Sequence, residues 1–219
     1  MRAMILAAGR GKRMLHLTEN IPKPLLKIGT ETLLERQINA LKNCGVTELV
    51  INLSYKSEQI KDYLKQNKNF NINIKTSYEK DALETAGGIL KVLEFFDNES
   101  PFIVTNADIY TDFDYKNLIE ANLYDCSGLL VMVNNPPFNE KGDFSLKNNH
   151  VIHGSEFTFS GIGFYRKKIF EKFLKEERLP LKPVLDQGIK EKKLLGILHN
   201  GLWMDVGTPE RLKLANDYR

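Results

Sequence analysis

The segment Leu6-Ala7-Ala8-Gly9-Arg10-Gly11-Lys12-Arg13-Met14 sets two glycines and three cations directly behind a short apolar run, Ala3 to Leu6. The apolar run reads as a buried strand. The glycines let the backbone bend tightly and leave its N–H groups uncovered. A fan of such groups is an anion cradle, and Arg10, Lys12 and Arg13 add fixed positive charge beside it. Further on, Pro22-Lys23-Pro24 holds one more lysine between two rigid residues. Arginine's planar fork can take two phosphate oxygens at once, while lysine acts as a compact point charge. Loop, Arg13 and Lys23 together point to a polyphosphate ligand.

The same turn argues against a dinucleotide. Such a site wants a third glycine near position 14, where Met14 stands. It also wants an acidic ribose ligand closing the second strand, about 20 residues beyond the turn. Glu31, the nearest acid to that spacing, precedes the first expected helix instead.

Two aspartates are candidates for holding a metal. Asp108, in Asn106-Ala107-Asp108, sits at the carboxyl end of the apolar strand Pro101 to Thr105, where ligands gather in open α/β sheets. A carboxylate there suits Mg²⁺, which prefers oxygen ligands and substrate phosphates. By position alone, a loop-capping aspartate fits equally well. Asp205 also ends an apolar strand, before Gly207 and a helix start, so the pair could clamp metal on one α-phosphate. That reading requires Asp108 and Asp205 to meet in the folded chain. Asp112 and Asp114 read as solvated loop or capping residues. His16, His150, His153 and His199 have no spacing that suggests a metal or a triad, and Cys44 and Cys126 read as reduced, partly buried thiols.

The elements that must position these residues alternate. Helices are expected at Thr32 to Asn43, from Ser57 as cap to Lys65, from Ala86-Gly87-Gly88 through Phe96, and at Tyr115 to Tyr124. Strands are expected at Glu48 to Leu53, Asn71 to Ser77, Pro101 to Thr105 and Leu129 to Val133. This order predicts an α/β fold in three layers, with a mainly parallel, mixed central sheet covered on both faces. After Asn134 the rhythm changes. A hairpin is expected around Asn148-Asn149, then a strand from Phe157 to Tyr165 and helices near Lys167 to Lys175 and Leu181 to Lys190. A last strand spans Leu194 to His199, and Thr208 caps a terminal helix with Pro209 at its first position.

At 219 residues the chain suits one sizeable core. A single domain, 1–219, is expected, with a nucleotide-binding part at about 1–133 and a sugar-binding part at about 134–219. A net charge of +3, spread along the chain, is too mild to argue for a nucleic-acid partner. No apolar run approaches membrane-spanning length, and the apolar start is too short for a signal peptide. A cytoplasmic protein, monomeric or a small homo-oligomer, is the expectation.

Leu6-Ala7-Ala8-Gly9-x-Gly11-x-Arg13-Met14 followed by Pro22-Lys23-Pro24-Leu25 resembles the signature of sugar-1-phosphate nucleotidylyltransferases, and the similarity runs the length of the chain. Leu83-Glu84-Thr85, Gly142-Asp143-Phe144, Phe159-Ser160-Gly161 and Trp203-x-Asp205-Val206-Gly207-Thr208 share it, nearest to the family's uridylyl-transferring branch. Two departures stand out: Leu15-His16, where the family has Arg-Pro, and Ala107, where it has Gly. The resemblance implies the nucleotide-diphospho-sugar transferase-like (Rossmann-like) fold. It also implies transfer of UMP from UTP, or of another nucleotide from its NTP, to a sugar 1-phosphate, with Mg²⁺ on Asp108 and Asp205. N-acetylmuramate α-1-phosphate, in peptidoglycan recycling, is the expected acceptor.

For that reaction the side-chain chemistry places Arg13 on the departing pyrophosphate and Lys23 near the α-phosphate, each with a surface cation beside a turn as its plain alternative, and Asp108 completes the expected catalytic set. The resemblance assigns nucleotide binding to Leu6, Ala8, Gly9, Gly11, Lys12, Arg13, Lys23, Glu79, Leu83, Thr85 and Gly88. Without the family, Leu83 to Gly88 is simply a helix N-terminus with a threonine cap. Asn106, Asp143, Ser160 and Gly161 fall to the sugar phosphate, though each could equally satisfy local backbone. Related readings stay open: thymidylyl transfer to glucose 1-phosphate, guanylyl transfer to mannose 1-phosphate, or a heptose phosphate. A metal-dependent glycosyltransferase is more remote, because its Asp-x-Asp motif lacks a first carboxylate at Asn106. The similarity is exhausted at the end of the chain, so no fused β-helix or acetyltransferase domain is expected.

Overall fold

A computed structural model of the chain describes residues 1–174 and 177–218. The first strand, β1 (Arg2–Leu6), buries Ala3, Met4 and Ile5. Two short strands, β2 (Lys27–Ile28) and β3 (Glu31–Thr32), pair antiparallel across a turn at Gly29. Helix α1 (Leu33–Asn43) then begins on a capping box: the Thr32 hydroxyl accepts from the Glu35 amide while Glu35 reaches back to the Thr32 amide. Leu33, Leu34, Ile38 and Leu41 recur at helical spacing and bury one face. Strand β4 (Glu48–Leu53) runs parallel to β1, with Leu6 opposite Asn52.

In α2 (Ser57–Gln66) the expected cap is displaced. Lys56 takes the cap position in the left-handed region, and Ser57 is the first helical residue, buried. Strand β5 (Asn73–Tyr78) starts later than Asn71, because Lys68, Asn69, Phe70 and Asn71 all have φ between 49° and 56° and turn the chain first. Helix α3 (Glu84–Lys91) opens before Ala86 and gives way to a 3-10 turn, Leu93–Phe95. Strands β6 (Phe102–Asn106) and β7 (Ile109–Thr111) follow. The helix expected through Tyr124 stops early as α4 (Lys116–Ile119). The Asn122 side chain accepts from the Tyr124 amide at 2.7 Å, a local turn that competes with further helix.

Strand β8 (Gly128–Asn134) precedes the hairpin β9 (Phe144–Lys147) and β10 (His150–His153), whose turn residues Asn148 and Asn149 both have positive φ. In β11 (Phe157–Tyr165) the register against β8 slips between Phe159 and Gly163, with Gly161 at φ +81°. A 3-10 helix, Lys167–Phe173, stands where an α-helix was expected, and the end of that expectation at Lys175 lies outside the described residues. Helix α5 (Leu181–Lys190), β12 (Leu194–His199), β13 (Trp203–Asp205) and α6 (Pro209–Asp217) complete the chain. Thr208 caps α6 by accepting from the Arg211 amide at 3.3 Å.

The chain forms two compact units, each discontinuous in sequence. One comprises Met1–Ala82, Thr105–Tyr115 and Leu202–Arg219, the other Leu83–Val104 and Lys116–Gly201. In the first, β5, β4 and β1 pair in parallel and β13 pairs antiparallel with β7. Its cluster of Met14, Leu26, Ile28, Leu33, Met204, Val206 and Ala215 roots the glycine loop on the last strand and helix. Each large side chain so buried contributes about 1.5–3 kcal/mol. In the second, strands run in the order β6-β11-β8-β12-β10-β9, and β8 is parallel to β12 but antiparallel to β11. Phe96 stacks on Phe102 there, at 3.7 Å between ring centroids. The change of rhythm after Asn134 falls inside this second unit. No helix among the described residues is long and apolar enough to cross a membrane.

Candidate active site

The loop leaves β1 at Leu6 under constraint. Asn52, at the carboxyl end of β4, accepts the Ala7 amide at 2.8 Å and donates to Glu79 Oε1 at 2.8 Å. Asn52 and Glu79 are buried, and the Glu79 amide is bonded in turn to the Leu53 carbonyl at 2.7 Å. One buried amide thus ties three adjacent strand ends and sets the direction in which the loop departs.

Gly11, at φ +66°, turns the loop into a 3-10 helix, Lys12–Thr18, and its carbonyl accepts from the Met14 amide and the Thr18 hydroxyl. A Cβ on Gly11 would stand 3.0 Å from the Cβ of Lys23, so glycine lets the lysine stem pass close by. Gly9 is exposed and a Cβ there would meet nothing, which leaves open space above the loop. At Leu15, the first departure from the family pattern, the 3-10 helix kinks: φ is 54°, ψ is −132°, and the side chain is exposed.

Lys23 is buried in the turn Lys23–Leu25, and its ammonium pairs with the Asp108 carboxylate. Asp108 itself follows β6 through Ala107, whose amide donates to the Leu6 carbonyl at 3.0 Å. The second departure therefore puts a buried methyl beside the end of β1. The Asp108 carbonyl accepts from the Val206 amide at 2.9 Å, and Asp205 lies opposite Ile109 in the β7–β13 pair. The backbone at Asp205 thus runs beside the backbone at Asp108.

Asp205 is flanked by cations. Its Oδ2 lies 3.2 Å from Arg211 Nη1 and 3.8 Å from Arg13 Nη2. Its Oδ1 is buried and has no hydrogen-bond partner among the described residues. Beneath β7, Gln37 donates to the Ile109 carbonyl at 2.6 Å and accepts from the Tyr115 hydroxyl at 2.7 Å. Thr105 completes that buried network at 2.9 Å from the Tyr115 hydroxyl, and burial pushes the Tyr115 phenol above its ordinary pKa.

Leu6, Ala8, Gly9, Gly11, Lys12, Arg13, Lys23, Glu79, Asn106, Asp108 and Asp205 all belong to the first unit, and Leu83, Thr85, Gly88, Asp143, Ser160 and Gly161 to the second. Thr85 is not a cap. Leu83 holds that position without a side-chain bond, Glu84 sits at φ 65°, and Thr85 lies within the first turn of α3. The Asp143 carboxylate accepts from Asn139 Nδ2 at 3.2 Å and from the Phe159 amide at 2.9 Å, fastening its loop to β11. Ser160 is buried, with its hydroxyl accepting from the Ile162 amide at 3.2 Å, and Gly161 lies in the bulge.

Three residues escape the sequence reading: Asn52, Gln37 and Arg211. Asn52 and Gln37 are polar residues in apolar stripes, which is a signal for a buried partner but names none. Arg211 reads as an ordinary first-turn residue of the capped helix.

A family model described as Nucleotidyl transferase matches residues 2–144. The chain is 41% identical over 224 residues to the N-acetylmuramate α-1-phosphate uridylyltransferase of Neisseria meningitidis serogroup B, a match covering 98% of this chain and 96% of that protein. It is 32% identical to the D-glycero-α-D-manno-heptose 1-phosphate guanylyltransferase of Campylobacter jejuni, over 96% of each. Among solved structures, HddC from Yersinia pseudotuberculosis, complexed with GMP-PN, superposes with a TM-score of 0.81 at 26% identity, covering 99% of this chain and 98% of that one. The architecture is that of the nucleotide-diphospho-sugar transferases, mixed α/β with a central, mainly parallel sheet.

Proposed function

Because the chain belongs to the nucleotidyl transferase family, we propose that it transfers UMP from UTP to N-acetylmuramate α-1-phosphate, forming a UDP-sugar and pyrophosphate. The observation that carries this reading is the 41% identity to a uridylyltransferase of that substrate over nearly the whole of both chains. The sugar-phosphate oxygen attacks the α-phosphorus in line, with pyrophosphate leaving opposite. Both reacting groups are strong anions, so no covalent intermediate is needed, and their mutual repulsion is the obstacle. Preorganised cations and loop amides answer it. Arg13 takes the departing pyrophosphate and Lys23 the α-phosphate. The amides from Ala8 to Lys12 cradle the remaining phosphate oxygens beside Leu6.

The residues fit a divalent cation. Asp205 Oδ1 is a buried oxygen with no donor among the described residues, and only a glycine fits beside it at position 207, where a Cβ would crowd that oxygen at 2.8 Å. Asp108 and Asp205 would hold Mg²⁺, which supplies charge neutralisation at the α-phosphate. Glu79, Leu83, Thr85 and Gly88 are assigned to the uracil side, and Asn106, Asp143, Ser160 and Gly161 to the sugar phosphate. In this reading the enzyme works in the cytoplasm on recovered cell-wall sugar, as a monomer or small homo-oligomer, without nucleic acid or membrane.

Pyrophosphate release across UTP, dTTP, GTP and CTP, each with N-acetylmuramate, glucose, mannose and heptose phosphates, tests the assignment. Preference for UTP with N-acetylmuramate α-1-phosphate, abolished by a chelator, supports it. A preference for GTP and a heptose phosphate would move the chain toward its 32% identical relative. Release of a nucleoside diphosphate in place of pyrophosphate would mark a glycosyltransferase.

A further inference from the structure

The carboxylate of Asp205 is held unequally. Oδ2 takes Arg211 Nη1 at 3.2 Å and has Arg13 Nη2 at 3.8 Å, while Oδ1 is buried with no hydrogen-bond partner among the described residues. A buried carboxylate oxygen without a donor is costly and calls for an explanation. The two arginines also differ in setting. Arg211 is 13% exposed in its side chain and rises from the capped first turn of α6, whereas Arg13 is 68% exposed on the loop. Gly207 keeps the space between them clear. A Cβ there would stand 2.6 Å from Arg211 Nη2, 2.8 Å from Asp205 Oδ1 and 3.1 Å from Arg13 Nη2.

We propose that Arg211 is a positioning residue for the metal ligand Asp205: it engages Oδ2 and leaves Oδ1 as the atom presented to the cation, while Arg13 is the substrate-side cation. The proposal rests on the metal-dependent transfer described above and deepens it. Two effects of Arg211 oppose each other. Its charge repels a cation, so its loss would tighten metal binding, whereas loss of orientation would weaken it. Residues that orient metal ligands typically cost about 10–100-fold in affinity when removed. With Arg211 removed, Arg13 Nη2 still stands 3.8 Å from the carboxylate, so positive charge remains beside Asp205 while the 3.2 Å bond that fixes its rotation is lost. Orientation therefore wins.

The test is Mn²⁺ binding to the whole protein without nucleotide, read from the electron paramagnetic resonance signal of free Mn²⁺, with UTP affinity measured separately without metal. Arg211→Met is expected to weaken Mn²⁺ about tenfold or more and to leave metal-free UTP binding unchanged. Arg211→Lys, which keeps a donor for Oδ2, recovers part of the loss. Arg13→Met shows the reverse, with weaker UTP and undiminished Mn²⁺ binding. Arg211→Gln, too short to reach Oδ2, carries the same expectation should Arg211→Met fail to fold. Mn²⁺ binding by Arg211→Met or Arg211→Gln as tight as, or tighter than, that of the unaltered protein overturns the proposal. Asp205→Asn separates the two levels: if it binds Mn²⁺ unchanged, the metal reading itself falls and takes this inference with it.

Discussion

Val206 donates its amide to the carbonyl of Asp108 at 2.9 Å, and that bond joins the ends of two elements far apart in the chain. It continues the β7–β13 pair, in which Asp205 faces Ile109, so backbone geometry brings the two aspartates together. Gln37 braces the same point from beneath through the Ile109 carbonyl. The carboxylates therefore depend on buried hydrogen bonds for their placement, and the cations around them reach in from the loop, from Lys23 and from α6.

Asp108→Asn and Lys23→Ala should each reduce pyrophosphate release by at least about 10²–10³, the usual cost of losing one preorganised charge partner. Both proteins should still fold, as read by far-UV circular dichroism and a cooperative melt. Near-normal turnover in either purified variant would remove that residue from the mechanism.

Gly11→Ala should cost about 1–2 kcal/mol in urea unfolding, because an L-residue at φ +66° pays the left-handed penalty. The new methyl would also press on the Lys23 stem at 3.0 Å. KM for UTP should rise with it. An unchanged midpoint and unchanged KM would show that the loop has room this geometry denies it.

Asn52→Leu removes both the acceptor for the Ala7 amide and a donor to Glu79 in a buried setting. A loss of about 2–4 kcal/mol is expected from two such bonds. Because Asn52 sets the loop's departure, UTP affinity should fall even at temperatures where the variant is fully folded. Isothermal titration with UTP checks this, and an affinity equal to that of the unaltered protein would reduce Asn52 to a packing residue.

Tyr115 and Tyr165 are both buried, and burial raises each phenol above its ordinary pKa. For a group raised in the folded state, the stability it contributes is complete below the unfolded pKa, about 10 for tyrosine, and is lost as pH climbs beyond that value. Unfolding free energy should therefore decline above about pH 10. The decline should be shallower in Tyr165→Phe. The Tyr165 hydroxyl has no hydrogen-bond partner among the described residues, so this variant should match or exceed the original stability at neutral pH. A steeper alkaline loss, or clear destabilisation at pH 7, would contradict the burial account.

The local residue pattern alone determined much of this protein. Alternating apolar strands and amphipathic helices located β4, β11, α5 and β12 to the residue, because period and turn chemistry act over a few neighbours. The glycine loop, Lys23 and the two strand-end aspartates were legible for the same reason: each is a residue type at a position where ligands collect. Misreadings were equally local. Lys56 displaced Ser57 as a cap, and Asn122 ended α4 early, through backbone conformations and side-chain bonds that propensity does not encode. What only the tertiary structure decided is which distant groups share one carboxylate or one amide. The Arg211 and Arg13 contacts of Asp205, and the Asn52 link between Ala7 and Glu79, arise from strand register and helix placement. No run of neighbouring residues carries that information, because such contacts form only after the apolar faces have chosen their partners.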